Sequence, residues 1–331
     1  MKRFVVYGAG AVGGVLGARL AEHGHEVVLI ARGRHYDAIR ERGLRVESPD
    51  AAVISNVPVV DYPARLSWTA DDIVLLTMKT QDVSLALREL AAIVPPRLPI
   101  VCLQNGVESE RLAVPWFAHV YGVCVICPAT YLTPGVVQAW SSPVSGILDV
   151  GRYPNGTDGV AEAVATAFRA STFASEARPD IMRWKYGKLL MNLGNAVEAI
   201  CGPPARHGSI GALARREGIA CLEAAGIDYV SEDEDAARRG DILRLQAIGG
   251  QVRQGGSSWQ SLQRQAHSIE ADYLNGEVAR LGRLHGVPTP VNDLLQRLAN
   301  RMAREGTTPG ALSQEEFLDE VLNGGTQVVL V

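Results

Sequence analysis

The sequence predicts an α/β half followed by an all-α half, and three observations carry that prediction. Short apolar runs alternate with helix-period stretches through the first 175 residues, the pattern of a mostly parallel sheet. Residues 119–150 are β-rich with punctuation at Pro128, Pro134-Gly135 and Pro143, which predicts an antiparallel extension of that sheet. From Asp180 onward nearly everything reads as helix, with breaks at Gly202-Pro203-Pro204, Gly226, Gly249-Gly250 and Pro288. The change of character at Glu176-Ala177-Arg178-Pro179 sets the expected domains at 1–175 and 176–331.

Phe4-Val5-Val6-Tyr7 is the first strand, and a helix near 11–23 ends at Gly24. Glu26-Val27-Val28-Leu29-Ile30 is the next strand, followed by a helix from His35 to Arg42. Leu44-Arg45-Val46 and Val57–Val60 read as short strands, and Ile73–Met78 as a buried central one. A helix from Val83 to Val94 leads into Ile100-Val101-Cys102-Leu103, which stops at Gln104-Asn105-Gly106. One more helix is expected over Val160–Ala170.

Composition narrows the function classes. The 331 residues carry a net charge of -4 with 47% hydrophobic residues, which argues against disorder and against a nucleic-acid partner. No apolar stretch reaches the length of a membrane span, and the N-terminus runs directly into a strand, so neither a span nor a signal peptide is expected. Five scattered cysteines suit a reducing cytoplasm better than a disulfide framework. Cys124 and Cys127 have redox or metal spacing, but they lie in an apolar run without a second pair and read as core thiols, so no metal site is expected.

Gly8-Ala9-Gly10-Ala11-Val12-Gly13 joins the first strand to the first helix with the G-x-G-x-x-G spacing of a dinucleotide-binding (Rossmann) turn. The first glycine permits the turn, the second admits the pyrophosphate, and the third packs helix against strand. The helix N-terminus adds free N–H groups and positive dipole. After the second strand, where an acid would bind a ribose 2′-OH, stand Ala31-Arg32 and then Arg34. An arginine there meets a 2′-phosphate, which points to NADP, or is a solvated residue at a helix start. Lys79, at the end of the central strand, is either a cofactor contact or an exposed loop lysine. Asn105 is either a site residue or an ordinary turn asparagine.

In the second half, Lys188, Asn192 and Asn195 stand at i, i+4 and i+7 and share one face of a continuous helix. They form either a site or an exposed polar stripe. On a straight helix Ser258 and Glu270 would lie about 18 Å apart. They share a site only if the chain bends between them, and Ser268 is a reasonable N-cap for a new helix there.

In order and spacing, Gly8–Gly13, Arg32, Thr77-Met78-Lys79, Gln104-Asn105-Gly106, Lys188–Asn192, Ser258 and Glu270–Gly276 resemble the ketopantoate reductases (2-dehydropantoate 2-reductases) nearly end to end. The resemblance implies a Rossmann domain and a helical domain with the active site in the cleft between them. It implies NADPH-dependent reduction of ketopantoate to pantoate, a step of pantothenate and coenzyme A biosynthesis. Lys188 then matches the catalytic lysine and Asn105 an asparagine near nicotinamide and substrate. Asn192, Ser258 and Glu270 match substrate-binding positions, and Arg32 and Lys79 match residues that favour NADPH.

The chain departs from the family at two places. The second helix asparagine is replaced by Ala196, with Asn195 one residue early as its substitute candidate. A further substrate asparagine falls near Arg206, which is either a carboxylate anchor or a loop residue. Rival readings are a reductase of another short branched 2-keto acid and a non-catalytic NADPH sensor. The apolar pattern of the last helices suits a homodimer and equally suits packing within the chain.

Overall fold

A computed structural model describes residues 2–322. The chain begins β1 (Arg3–Tyr7), α1 (Ala11–Glu22), β2 (Glu26–Ile30), α2 (Gly33–Arg42), β3 (Leu44–Glu47), β4 (Ala52–Ser55), β5 (Val59–Val60) and β6 (Asp72–Leu76). It continues through α3 (Thr80–Ala91), β7 (Ile100–Cys102), α4 (Glu108–Ala113), β8 (Val120–Ile126), β9 (Ala129–Thr130), β10 (Val136–Ala139), β11 (Gly146–Arg152), α5 (Gly159–Ala170) and β12 (Phe173–Ala174). The rest is helical except for 240–256: α6 (Ile181–Asn192), α7 (Gly194–Cys201), α8 (Ser209–Ala224), α9 (Glu232–Arg239), α10 (Ser257–Gln263), α11 (Asn275–His285), α12 (Pro290–Glu305) and α13 (Gln314–Leu322).

The main sheet has the order β12-β11-β8-β7-β6-β1-β2-β5, parallel throughout except for the antiparallel β8–β11 pair. Beyond the Arg3–Asp72 pair at their starts, the central strands β1, β6 and β7 are built of apolar and aromatic residues because both faces are covered. Alternate residues divide between two cores. Phe4, Val6, Leu29, Ile73 and Leu75 pack with Val15, Leu16 and Leu20 of α1 and with Val164 and Phe168 of α5. Val5, Tyr7, Val28, Val74 and Leu76 pack with Val83, Leu87 and Leu90 of α3. The period-2 alternation of a strand therefore builds both flanking layers. Asp158 caps α5 by accepting from the Val160 and Ala161 N–H groups, a bond worth about 1 kcal/mol.

Part of the expected antiparallel extension belongs elsewhere. β9 and β10 join β3 and β4 in a separate sheet of order β4-β3-β10-β9, so only β8 and β11 extend the main one.

The division of the chain also differs from the expected break at 175/176. Among the described residues, one unit holds the chain up to Lys185 together with Ser231–Arg253; the other holds Tyr186–Val230 and 254–322. The reason is a set of polar ties. Buried Asp149 of β11 accepts from Arg178 and, through both oxygens, from Arg238 of α9. Arg183 makes a fork with Glu234, itself part of a capping box with Ser231. Backbone bonds from Gln246 N–H to Trp140 and from Ser142 N–H to Arg244 fasten the irregular segment that follows α9.

Candidate active site

Cys102, Leu76, Tyr7 and Ile30, the last residues of β7, β6, β1 and β2, lie in one row across the sheet. The residues that follow each strand therefore emerge along one carboxyl edge: Gly8–Gly13, Arg32, Lys79 and Asn105. From β1 the chain passes to β2 on one side and later to β6 on the other. Open α/β sheets bind ligands at such a reversal.

The glycine turn is shaped by its neighbours. Gly8 has φ +109°, and a Cβ there would stand 2.6 Å from the Met78 nitrogen. A Cβ on Gly13 would fall 2.1 Å from the Gly8 carbonyl oxygen. At Gly10, the N-cap of α1, a Cβ would meet nothing within 4 Å, so the turn is closed behind and open in front. That open face at a helix N-terminus fits the pyrophosphate of a dinucleotide.

Two further side chains hold the turn: Thr77, from the Thr77-Met78-Lys79 segment, and His35. Thr77 Oγ1 donates toward the carbonyls of Gly8 (2.7 Å) and Tyr7 (3.0 Å). His35 is buried, accepts the Gly135 N–H at Nδ1 (2.9 Å) and faces the Ala9 carbonyl with Nε2 (2.7 Å). The imidazole is thus a neutral tautomer that donates from Nε2, and burial lowers its pKa below the ordinary histidine value. Thr77 lies in a segment already marked in the sequence, whereas nothing in the neighbourhood of His35 marks it as a partner of the turn.

Arg32 is the N-cap residue of α2. Its Nη2 donates to Glu89 Oε2 (2.6 Å) and to the Tyr7 hydroxyl (2.8 Å), and Tyr7 also donates to Glu89. Burial, then Glu89, push the Tyr7 hydroxyl up from its ordinary pKa. Lys79 caps α3 and is half-buried.

Asn105 follows Gln104, whose side-chain amide donates to the carbonyls of Leu76 (2.8 Å) and Met78 (3.1 Å) and so ties β7 to the end of β6. The Gln104 carbonyl accepts from Lys185 Nζ (3.1 Å), which also pairs with Glu110 at 2.5 Å. Both charged side chains are buried, at 2% and 0% exposure. Lys185 and Glu110 were not singled out in the sequence because a charged residue on a helix ordinarily faces solvent.

In the helical unit, Lys188 Nζ stands 3.5 Å from Asn192 Oδ1, one turn apart on α6. Lys188 is half-buried and Asn192 buried. α6 and α7 are separated only by Leu193, whose backbone is itself helical, so the helical path expected through Asn195 is kept. Leu193 itself keeps helical dihedrals and donates to the Leu189 carbonyl, and its own carbonyl accepts from the buried Asn275 amide (3.2 Å). Asn195 is the second residue of α7 and donates to Ser257 Oγ (3.5 Å), beside buried Ser258 at the start of α10.

Arg206 lies in a 3₁₀ turn over Pro203–His207 and is paired with Glu198 at 2.6 Å. The other Glu198 oxygen accepts the Gly256 N–H (3.1 Å). Arg206 is thus neither an unengaged anchor nor a plain loop residue; it belongs to an ion pair that fastens the entry to α10. The bend required after Ser258 is present. α10 stops at Gln263, and buried Glu270 opens a 3₁₀ turn over Glu270–Tyr273. The N-cap of that turn is Ile269 and makes no side-chain cap bond, so Ser268 does not fill the expected role.

Among the described residues no helix is long and apolar enough to cross a membrane, and no cluster of three or more His, Cys, Asp or Glu side chains could hold a metal ion. None of the five cysteines is in a disulfide; Cys124 is buried and Cys127 half-buried.

Comparison with known proteins places this arrangement. Residues 4–155 match the family model described as ketopantoate reductase PanE/ApbA, and residues 180–303 match its C-terminal counterpart. A 2-dehydropantoate 2-reductase of Pyrococcus horikoshii is 28% identical over 89% of this chain and 96% of its own length. That of Caulobacter vibrioides is 29% identical over 92% of this chain and all of its own. The crystal structure of a PanE/ApbA family ketopantoate reductase from Ralstonia eutropha JMP134 aligns with TM-score 0.77 at 26% identity, over 92% of this chain and 99% of that one. A D-mandelate dehydrogenase solved with NADH and anilino(oxo)acetate reaches the same TM-score and coverage at 22% identity, a likeness of fold. The chain belongs to the ketopantoate reductase family.

Proposed function

We propose that this protein reduces 2-dehydropantoate to pantoate with a nicotinamide dinucleotide, NADPH in the first instance. The observation that carries the reading is the glycine turn with an open face at Gly10, on a strand edge shared with Arg32, Lys79 and Asn105, in a chain of this family. Gly8, Ala9, Gly10, Ala11, Val12 and Gly13 would hold the pyrophosphate, and Arg32 and Lys79 the adenosine phosphate and ribose. When bound, the nicotinamide supplies hydride for the ketone carbon.

The remaining chemistry falls to this chain's side chains. Negative charge grows on the substrate carbonyl oxygen as it is reduced. An ammonium at Lys188 stabilises that charge and donates the proton. Asn192, adjacent to Lys188, orients the ammonium or the substrate carboxylate. Ser258, Asn195 and Asn105 contribute hydrogen bonds to the keto acid, and Glu270 accepts from its hydroxyl or orients Lys188.

A second substrate reading is favoured by one observation. Where family members present asparagines, this chain has Ala196 and an Arg206 already paired with Glu198, an arrangement that suits another short branched 2-keto acid. Steady-state oxidation of NADPH and NADH against a panel of 2-keto acids tests both. Turnover on 2-dehydropantoate well above that on simple 2-keto acids supports the first reading; equal rates support the second. No turnover on any member, with nucleotide binding intact, would leave a nucleotide-binding protein without reductase activity. The reading includes a reducing cytoplasmic setting, which five scattered cysteines outside any disulfide suit, and a homodimer, to be checked by mass photometry.

A further inference from the structure

The carboxylate of Glu89 is built into the place where this site would distinguish the two nicotinamide dinucleotides. Glu89 lies on α3, its side chain 14% exposed, and accepts from both Arg32 and Tyr7. Arg32 is 52% exposed, and both of its side-chain hydrogen bonds are made by Nη2. Its guanidinium therefore reaches the strand edge already paired with an anion. Seven residues earlier on the same helix face is Asp82. Burial raises the Asp82 pKa, and the charges of Lys79 and Arg32 lower it in turn. Arg32 and Lys79 thus each have a carboxyl group of α3 in their field, while exposed Arg34 follows on α2.

A 2′-phosphate is close to dianionic at neutral pH, and a ribose hydroxyl is neutral. Arg32 attracts the phosphate, while Glu89 on the same guanidinium repels it. The hydroxyl feels no such repulsion and can donate to a carboxylate. A dedicated 2′-phosphate site would leave the arginine unopposed. This one is charge-balanced through the Tyr7–Arg32–Glu89 cluster.

We propose that Glu89 is a specificity-determining residue that weakens discrimination in favour of NADPH, so that the protein accepts NADH as well. The proposal rests on the nucleotide reading above. A carboxylate within one guanidinium width of a dianion alters a binding constant on the order of tenfold.

The test is fluorescence titration of NADPH and NADH into the full chain and into Glu89→Gln, which keeps the shape and an acceptor for Tyr7 and Arg32. The expected result is a rise of about tenfold in the ratio of NADPH to NADH affinity, mainly through tighter NADPH. Glu89→Ala should shift the ratio in the same direction. A purely structural role for Glu89 would weaken both nucleotides together, and an unchanged ratio in both variants overturns the proposal. Binding of neither nucleotide to the parent chain would instead refute the nucleotide reading itself.

Discussion

Replacing Lys185 by Met isolates the contribution of one buried charge pair. The ammonium sits 2.5 Å from Glu110 Oε1 and 3.1 Å from the Gln104 carbonyl, and neither charged side chain is more than 2% exposed. The second Glu110 oxygen is buried with no hydrogen-bond partner among the described residues, so removing Lys185 takes away the carboxylate's buried counter-charge. Breaking one side of such a pair costs about 3–5 kcal/mol, whereas replacing both partners by apolar side chains is often close to neutral. In a unit of this size each kcal/mol moves the midpoint by roughly 2–4 °C. Lys185→Met should therefore lower Tm by roughly 6–20 °C in thermal unfolding followed by circular dichroism. The Glu110→Met/Lys185→Met double variant should recover most of that loss. A single variant within about 2 °C of the parent, or a double variant no more stable than the single, would refute the reasoning. The same ammonium holds the Gln104 carbonyl beside Asn105, so the pair secures both the fold and the strand end.

Three further outcomes follow from the site. Lys188→Ala should reduce kcat about a hundredfold or more while nucleotide affinity is kept, as loss of a positioned proton donor requires; an unchanged rate removes Lys188 from the chemistry. Arg32→Ala should weaken NADPH far more than NADH in a binding titration, because it leaves Glu89 facing the 2′-phosphate, and equal losses would show that Arg32 does not read that group. His35 is neutral in the folded chain with its pKa lowered by burial, so its contribution to stability is fully present above its ordinary value of about 6.5. That contribution is lost as pH falls through the lowered folded value, when a protonated Nδ1 would confront the Gly135 N–H. The acid limb of a Tm-versus-pH curve should be shallower in His35→Leu, and coincident curves would discount the role.

The strand-turn-helix that opens the chain was legible in its residues, and so was the helical second half. A buried parallel strand is a short apolar run, a glycine turn is a fixed spacing, and a helix is a period, so each is written in neighbouring positions. The contact on the Leu193 carbonyl was not legible, because the side chain that makes it belongs to Asn275, 82 positions away. Residues 231–253 read as part of the helical half and pack with the sheet unit, through Arg238 on Asp149, 89 positions apart.

The candidate site divides along the same line. Gly8, Gly10, Gly13, Arg32 and Lys79 could be named from spacing alone, and their strands bring them to one edge. Glu89 meets Arg32 across 57 positions, Lys185 meets Glu110 across 75, and His35 meets Gly135 across 100. A glutamate on an amphipathic helix carries the same local pattern whether it faces water or a guanidinium. Adjacent residues therefore specified where a dinucleotide would be held. How strongly its phosphate would be favoured depends on charges that only packing brings together, since Coulomb energy follows distance in space and not separation along the chain.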